Sequence, residues 1–217
     1  MKAAPAYEVM AEATWVRFVR RSVDIVVAVT VLLVTLPLLL VAAIAIRLDS
    51  PGPALFLQER VGRGGRHFRM VKLRGMYADA RERFPSLYAY DGHEAGTFRF
   101  HADSDPRVTR VGRFLRRTSI DELPNFVNVL TGDMSVVGPR PDIPELMALY
   151  GDRAATVLAV RPGVTSLPKA QGRDDLSFAE TLALEVQYVR TRSLLLDLKI
   201  IALTIPTVLR RRNVSPG

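Results

Sequence analysis

The chain is 217 residues long, enough for one domain with its own core and a short appendage but not for two full-sized domains. Lys and Arg number 30 against 22 Asp and Glu, and the net charge of +8 points to an anionic partner: nucleic acid, lipid headgroups or a phosphorylated substrate. With Cys 0, a disulfide framework, a thiol nucleophile and Cys-ligated metal clusters are excluded.

Residues 1–22 read as a short basic lead-in. Residues 25–46 then carry no charge, and only Thr30 and Thr35 interrupt the aliphatics between Asp24 and Arg47. Roughly 22 residues at about 1.5 Å each just cover a bilayer's hydrocarbon core, and the run is too long for a signal-peptide core. Pro37 removes a backbone donor in the middle of it, so a kink or break is expected there. Two readings stand: one kinked span, or two half-helices that bend at Pro37 and return to the same leaflet. Both flanks are basic, with Arg17, Arg20 and Arg21 before the run and Arg47, Arg60, Arg63 and Arg66 after it, and that symmetry favours return. The carbonyls freed at the bend need a partner, and Thr35 is one available side chain.

Asp49-Ser50-Pro51-Gly52-Pro53 is a breaker cluster that ends the apolar element. Residues 54–57 and 67–71 read as short strands on either side of a turn rich in Gly62, Gly64 and Gly65. The glycines lack the G-x-x-x-x-G-K-[ST] and G-x-G-x-x-G spacings, so a hairpin is preferred to a phosphate loop. His67, His93 and His101 show no metal-binding spacing. Residues 77–104 predict a helix followed by a polar, irregular segment. Arg107, Arg110, Arg113 and Arg116 recur every third position, with Arg117 adjacent. On a helix this separates cations from Val108, Val111, Phe114 and Leu115, giving either a solvated face or a surface held against anionic lipid. Residues 193–212 suit an amphipathic helix in the interface plane or a core helix, because Asp197, Lys199 and Pro206 make a poor span. A basic strand platform interleaved with aromatics is missing, so nucleic acid is not an expected partner.

The most informative stretch is 116–141. Ser119 and Glu122 have capping-box spacing and Pro124 suits a first turn, which places Asp121 and Glu122 near a helix N-terminus. Such an end favours carboxylate and phosphate. Adjacent carboxylates beside arginines suit either capping with surface ion pairs or a divalent cation, Mg²⁺ held together with substrate phosphates. In Gly138-Pro139-Arg140-Pro141, two fixed φ angles bracket one guanidinium, whose planar fork matches phosphate oxygens.

Asp121-Glu122-Leu123-Pro124, the 128–135 segment Asn-Val-Leu-Thr-Gly-Asp-Met-Ser and Val137-Gly138-Pro139-Arg140-Pro141 together resemble the bacterial sugar transferase family, the monotopic polyprenol-phosphate phosphoglycosyltransferases, in its short form. Ser50-Pro51-Gly52-Pro53, Gln58-Glu59-Arg60-Val61-Gly62, Lys72-Leu73-Arg74 and Arg161-Pro162-Gly163-Val164-Thr165 extend the resemblance over nearly the whole chain, in matching order. The resemblance implies transfer of a phosphosugar from a nucleotide sugar, usually UDP-linked, to a polyprenol phosphate such as undecaprenyl phosphate, with release of UMP. It makes Asp121 the nucleophile and implies an aspartyl phosphosugar. Glu122 positions Mg²⁺ or a proton, and both acids are candidate metal ligands. Lys72, Arg74, Arg116 and Arg140 are the candidate phosphate-binding residues. Several positions depart from the family pattern: Leu36 where Ser often precedes the proline, Gly75 where Ser or Thr is common, and Glu185 where Asp is usual. Ser166, Pro168 and Lys169 stand in place of Gly, Ala and Gln.

The expected architecture is a predominantly helical α/β monotopic membrane protein. Its parts are a lead-in at 1–22, a re-entrant membrane helix at 23–48 with Thr35 and Pro37 at its bend, and a catalytic domain at 49–217 with a small strand element and interfacial helices. The expected partners are a nucleotide-sugar donor, a polyprenol phosphate acceptor and membrane lipid, with a homodimer compatible. The expected location is the cytoplasmic face of the bacterial inner membrane, at the first step of exopolysaccharide or lipopolysaccharide assembly. The rival reading is a membrane-anchored basic scaffold that binds lipid or nucleic acid without turnover.

Overall fold

The structure is a computed structural model that describes residues 13–88, 105–171 and 176–209. Helix α1, Thr14–Asp49, contains 36 residues, about 54 Å at the usual rise. It is long and apolar enough to cross a membrane, and most of it is exposed. The described part of the basic lead-in is therefore the start of this helix; residues 1–12 lie outside the described residues.

Only two short stripes of α1 are buried, each with the four-residue spacing of a helix face: Arg20, Asp24 and Ala28, then Ala42 and Ile46. Ala28 belongs to the main core with Met70, Val129, Met134 and Ile200. Ala42 and Ile46 pack with Leu73 and Leu115 in a second cluster. Residues 29–41, between the stripes, contribute no buried side chain. Both ends of the apolar element thus stand on the same domain. The helix continues through Pro37, where the sequence predicts a kink or break, so the break does not occur. Proline deletes a single ladder bond, and the neighbouring turns remain paired. The Thr35 hydroxyl donates to the Val31 carbonyl at 2.7 Å, a back-bond of the kind that bends helices.

Strands β1 (Leu55–Val61) and β2 (His67–Leu73) form the expected antiparallel hairpin, with Leu55 opposite Leu73 and Val61 opposite His67. Gly64 and Gly65 take positive φ in the connecting turn. The strands run past the apolar residues that signalled them, because charged side chains also pair across an exposed ladder. The Glu59 carboxylate accepts from the His67 ring Nδ1 at 2.8 Å. The helix expected after residue 77 shrinks to one turn, α2 (Ala80–Arg83), and Phe84-Pro85 ends it. Residues 89–104, which include His93 and His101, lie outside the described residues.

Helices α3 (Arg110–Thr118) and α4 (Asn125–Thr131) lead into β3 (Ser135–Val137), which pairs in parallel with β4 (Gly163–Thr165). At this junction a Cβ on Gly163 would stand 2.1 Å from the Gly138 nitrogen, and one on Gly138 2.4 Å from the Arg161 carbonyl oxygen. Only glycine permits that approach, which explains why Gly138-Pro139-Arg140 and Pro162-Gly163 occur as a matched pair. Between the strands lie a 3₁₀ segment (Pro144–Arg153) and α5 (Ala154–Val157); after them come α6 (Leu167–Gln171), α7 (Phe178–Thr191) and α8 (Leu194–Leu209). The α8 helix turns Asp197 and Ile200 inward and leaves Leu195, Leu198 and Leu203 exposed. Its inner face is core, and the outer face remains apolar. The Arg210–Arg212 end of the expected amphipathic stretch falls outside the described residues.

Two buried polar anchors tie the first stripe of α1 to the domain. Asp24 accepts from the Ser135 hydroxyl at 2.9 Å and the Val136 amide at 2.8 Å. Arg20 pairs with Asp197, which also accepts from the Tyr188 hydroxyl at 2.8 Å.

Candidate active site

Helix α3 starts at Thr109, whose side chain accepts from the Gly112 amide, and ends where Ser119 turns left-handed at φ 57°. Among the described residues Ser119 is the one non-glycine with positive φ. A left-handed residue after a helix reverses the chain sharply, so Ile120–Glu122 form a tight 3₁₀ turn before α4. The capping box expected between Ser119 and Glu122 does not form, because a capping residue needs extended geometry that a left-handed Ser119 lacks. Among the described residues a capping box forms instead at Ser177 and Glu180, at the start of α7.

This turn separates the two adjacent acids. Asp121 is half-buried, whereas Glu122 is only 5% exposed. Three cations from three different elements converge on Glu122. Lys169 of α6 reaches Oε2 at 2.6 Å, Arg140 of the 138–141 segment reaches Oε1 at 3.3 Å, and Lys72 of β2 stands 3.7 Å from Oε1. Lys72 is pushed down to about 8: burial is the main cause, Arg140 and Arg60 add to it, and Glu122 and Asp121 oppose it. Burial also pulls on the Arg140 guanidinium, but Glu122, Asp142, Asp121 and Glu185 together hold it above its ordinary value. Asp121 therefore lies within electrostatic reach of both Lys72 and Arg140.

The segment carrying Arg140 is held from behind. The Arg140 amide donates to Glu185 of α7 at 2.8 Å, and Arg60 of β1 donates to the Pro141 carbonyl at 3.0 Å. Asp142 accepts from the Tyr150 hydroxyl at 2.5 Å and stands 3.6 Å from Arg60. Burial, reinforced by Asp142, raises Glu185 to about 8. Two prolines fix the backbone and two flanking elements fix its position, so the guanidinium is presented with little freedom left to lose.

Arg74 and Arg116 depart from their expected places. The Arg74 guanidinium is buried and donates to the Ser50 and Pro51 carbonyls, clamping the turn that follows α1. Its neighbour Lys72 points to Glu122, and the strand's alternation ends at Leu73 before Arg74 is reached. Arg116 lays its methylenes against Gly75; burial pushes the Asp105 carboxyl up, but the hydrogen bonds and charge of Arg107, with a smaller contribution from Arg116, outweigh it and hold Asp105 low. Lys169, Glu185 and Arg60 are the residues to which sequence reasoning assigned no role in the site. A charged residue inside the otherwise apolar inner face of α7, and a lysine four residues after Thr165 where the family pattern has Gln, were the available signals.

A magnesium ion takes one or two carboxylates together with substrate phosphates. Asp121 fits such a site. Glu122 fits poorly as a second ligand, because each of its oxygens already faces a cation. Among the described residues no group of three or more His, Asp or Glu is placed to share an ion.

The profile of the family described as bacterial sugar transferase matches residues 15–211. A UDP-glucose:undecaprenyl-phosphate glucose-1-phosphate transferase of Caulobacter vibrioides is 43% identical over 203 residues, covering 89% of this chain and 71% of its own length. The exopolysaccharide production protein ExoY of Rhizobium meliloti is 37% identical over 196 residues, covering 89% and 87%. An undecaprenyl-phosphate galactose phosphotransferase of Salmonella typhimurium is 38% identical over 197 residues, with 90% of this chain and 41% of its own length aligned. The chain spans about two fifths of the length of several curated relatives that it matches.

Proposed function

The chain belongs to the bacterial sugar transferase family, and from that premise we propose that it moves a sugar 1-phosphate from a UDP-sugar to undecaprenyl phosphate, with Asp121 as nucleophile. The observation that carries this reading is the half-buried Asp121 beside three cations gathered on its buried neighbour Glu122. A carboxylate approaching a diphosphate is repelled, and fixed cations offset that repulsion in place before the reaction begins. One Asp121 oxygen attacks the sugar-bearing phosphorus, the bond to the bridging oxygen breaks, and UMP departs with the electron pair. The lipid phosphate oxygen then attacks the same phosphorus and releases the Asp121 carboxylate, leaving a lipid-diphosphate sugar. In this reading Arg140 and Lys72 hold the equatorial oxygens and the departing UMP. Magnesium, held by Asp121 and the donor phosphates, would offset part of the same charge.

In this reading α1 is re-entrant and the active site faces the cytoplasm at the inner membrane. Support comes from the two buried stripes, 20–28 and 42–46, which contact one domain, from the exposed residues between them, and from the Thr35 back-bond beside Pro37. A returning helix brings the soluble donor and the membrane-held acceptor to the same surface.

The deciding experiment incubates the full chain with a panel of UDP-sugars in the absence of lipid acceptor, followed by intact-mass spectrometry. A phosphohexose adduct that is lost in Asp121→Asn supports the reading, and its absence with every donor, on protein that releases UMP once undecaprenyl phosphate is added, overturns it. Labelling a cysteine introduced at Thr14 tests the membrane arrangement: access from the side opposite the catalytic domain excludes return.

A further inference from the structure

Glu122 is the acid that the sequence pairs with Asp121 as a metal ligand, yet its surroundings are those of a closed ion pair. The Lys169 ammonium makes the shortest of its contacts, 2.6 Å to Oε2, and also donates to the Val164 carbonyl of β4 at 3.2 Å. Lys169 is itself only 8% exposed, and its amide bonds the Ser166 hydroxyl at 3.3 Å as α6 begins. The ammonium is thus built into the β4–α6 corner. The second Glu122 oxygen faces Arg140 and Lys72. A divalent cation approaching Glu122 would meet these three positive groups in a poorly hydrated place, where like charges repel most strongly.

We propose that Lys169 is a positioning residue that locks Glu122 as an internal counter-charge and withholds it from divalent metal, so that Asp121 is the single protein carboxylate of the metal site. Glu122 then acts through its neighbours: it draws Arg140 and Lys72 to fixed places beside Asp121, and Lys169 stops it from swinging outward. The family pattern noted above places Gln at this position, and an uncharged amide would leave one Glu122 oxygen open. The inference rests on the reading of Asp121 as the reacting carboxylate, but it concerns metal binding and is tested without turnover.

The test is a double-mutant cycle on the full chain in detergent, with Mn²⁺ binding read by electron paramagnetic resonance. Glu122→Gln should cost at least about tenfold more Mn²⁺ affinity in the Lys169→Gln background than in the parent, where it removes only a counter-charge and not a ligand. Lys169→Gln should raise affinity about tenfold, Lys169→Arg should leave it at the parent level, and Glu122→Gln should abolish the gain in the Lys169→Gln background. Additive effects, with Glu122→Gln costing the same in both backgrounds, would mean that only the local field matters and would overturn the proposal. So would unchanged affinity in Lys169→Gln. The electron paramagnetic resonance spectrum of Mn²⁺ bound to the parent needs no Lys169 variant to fold, and a carboxylate coupling that is lost in Glu122→Gln while the ion stays bound overturns the proposal by itself. The adduct experiment can fail while this cycle succeeds, which keeps the two readings separable.

Discussion

Asp24 and Glu122 are both almost wholly buried, at 3% and 5% exposure, and their surroundings differ in a way that separates structure from function. Asp24 is answered by a hydroxyl and a backbone amide, and nearby Asp197 by one arginine and one tyrosine hydroxyl. Each of these acids is held by hydrogen bonds to groups of the fold itself. Around Glu122 three cations from three elements converge on one carboxylate. A carboxylate that only holds a fold gains nothing from extra cations, which repel each other and lose hydration. Their convergence beside Asp121 fits a site that receives an anion from outside the chain.

The comparison breaks most decisively at Asp121. Asp121→Asn should lower UMP release by about 10³-fold or more while membrane attachment and the unfolding midpoint stay within error of the parent. A smaller loss would remove Asp121 from the reaction. At the matched end, Arg20→Ala leaves Asp197 buried without its cation. It should lower unfolding stability by about 3–5 kcal/mol, measured by denaturant titration in detergent. A change under about 1 kcal/mol would show that the anchor is not structural.

Lys72→Met should show the opposite balance. Losing one preorganised cation should reduce the rate about 10²-fold, whereas stability should hold or rise, because burial already disfavours the ammonium. The same group predicts a pH limit. Lys72 titrates at about 8, so the rate should fall above that value and Lys72→Met should remove this limb. For stability the sign is set by proton counting. Between about 8 and 10.5 the unfolded lysine binds more protons, so its contribution is fully present above 10.5 and lost as pH falls through about 8. Glu185 works in the other direction. Its contribution is present below 4.5 and lost as pH rises through about 8, so Glu185→Gln should flatten the decline of stability with pH in that interval. The smallest effect belongs to the membrane element. Thr35→Val removes one back-bond and should change stability by about 1 kcal/mol or less, with an altered hinge read by spin-label distances across Pro37.

Local patterns made part of the molecule legible from sequence. The apolar run, the breaker cluster at 49–53 and the glycine-rich hairpin each depend on neighbours within a few residues, and each is present in the structure. The Asp121-Glu122 pair and Arg140 were also legible as chemistry. Sequence alone misplaced Arg74, since Lys72 and Arg74 look equivalent as cations until one meets Glu122 and the other meets the Ser50 and Pro51 carbonyls. It also read Ser119 as a cap, because spacing carries no information about a left-handed φ.

By itself the sequence determined which chemical groups are present and which short segments form: an apolar helix, a hairpin, a stiff arginine segment and two adjacent acids. These follow from backbone propensity, hydrophobicity and covalent geometry, which act over one or two turns. The tertiary structure decided which acid is buried, which cations surround it, and that Lys169 and Glu185 belong to the site. Those outcomes require elements some 50 residues apart to meet, and burial then turns ordinary surface groups into coupled charges whose partners no local rule names.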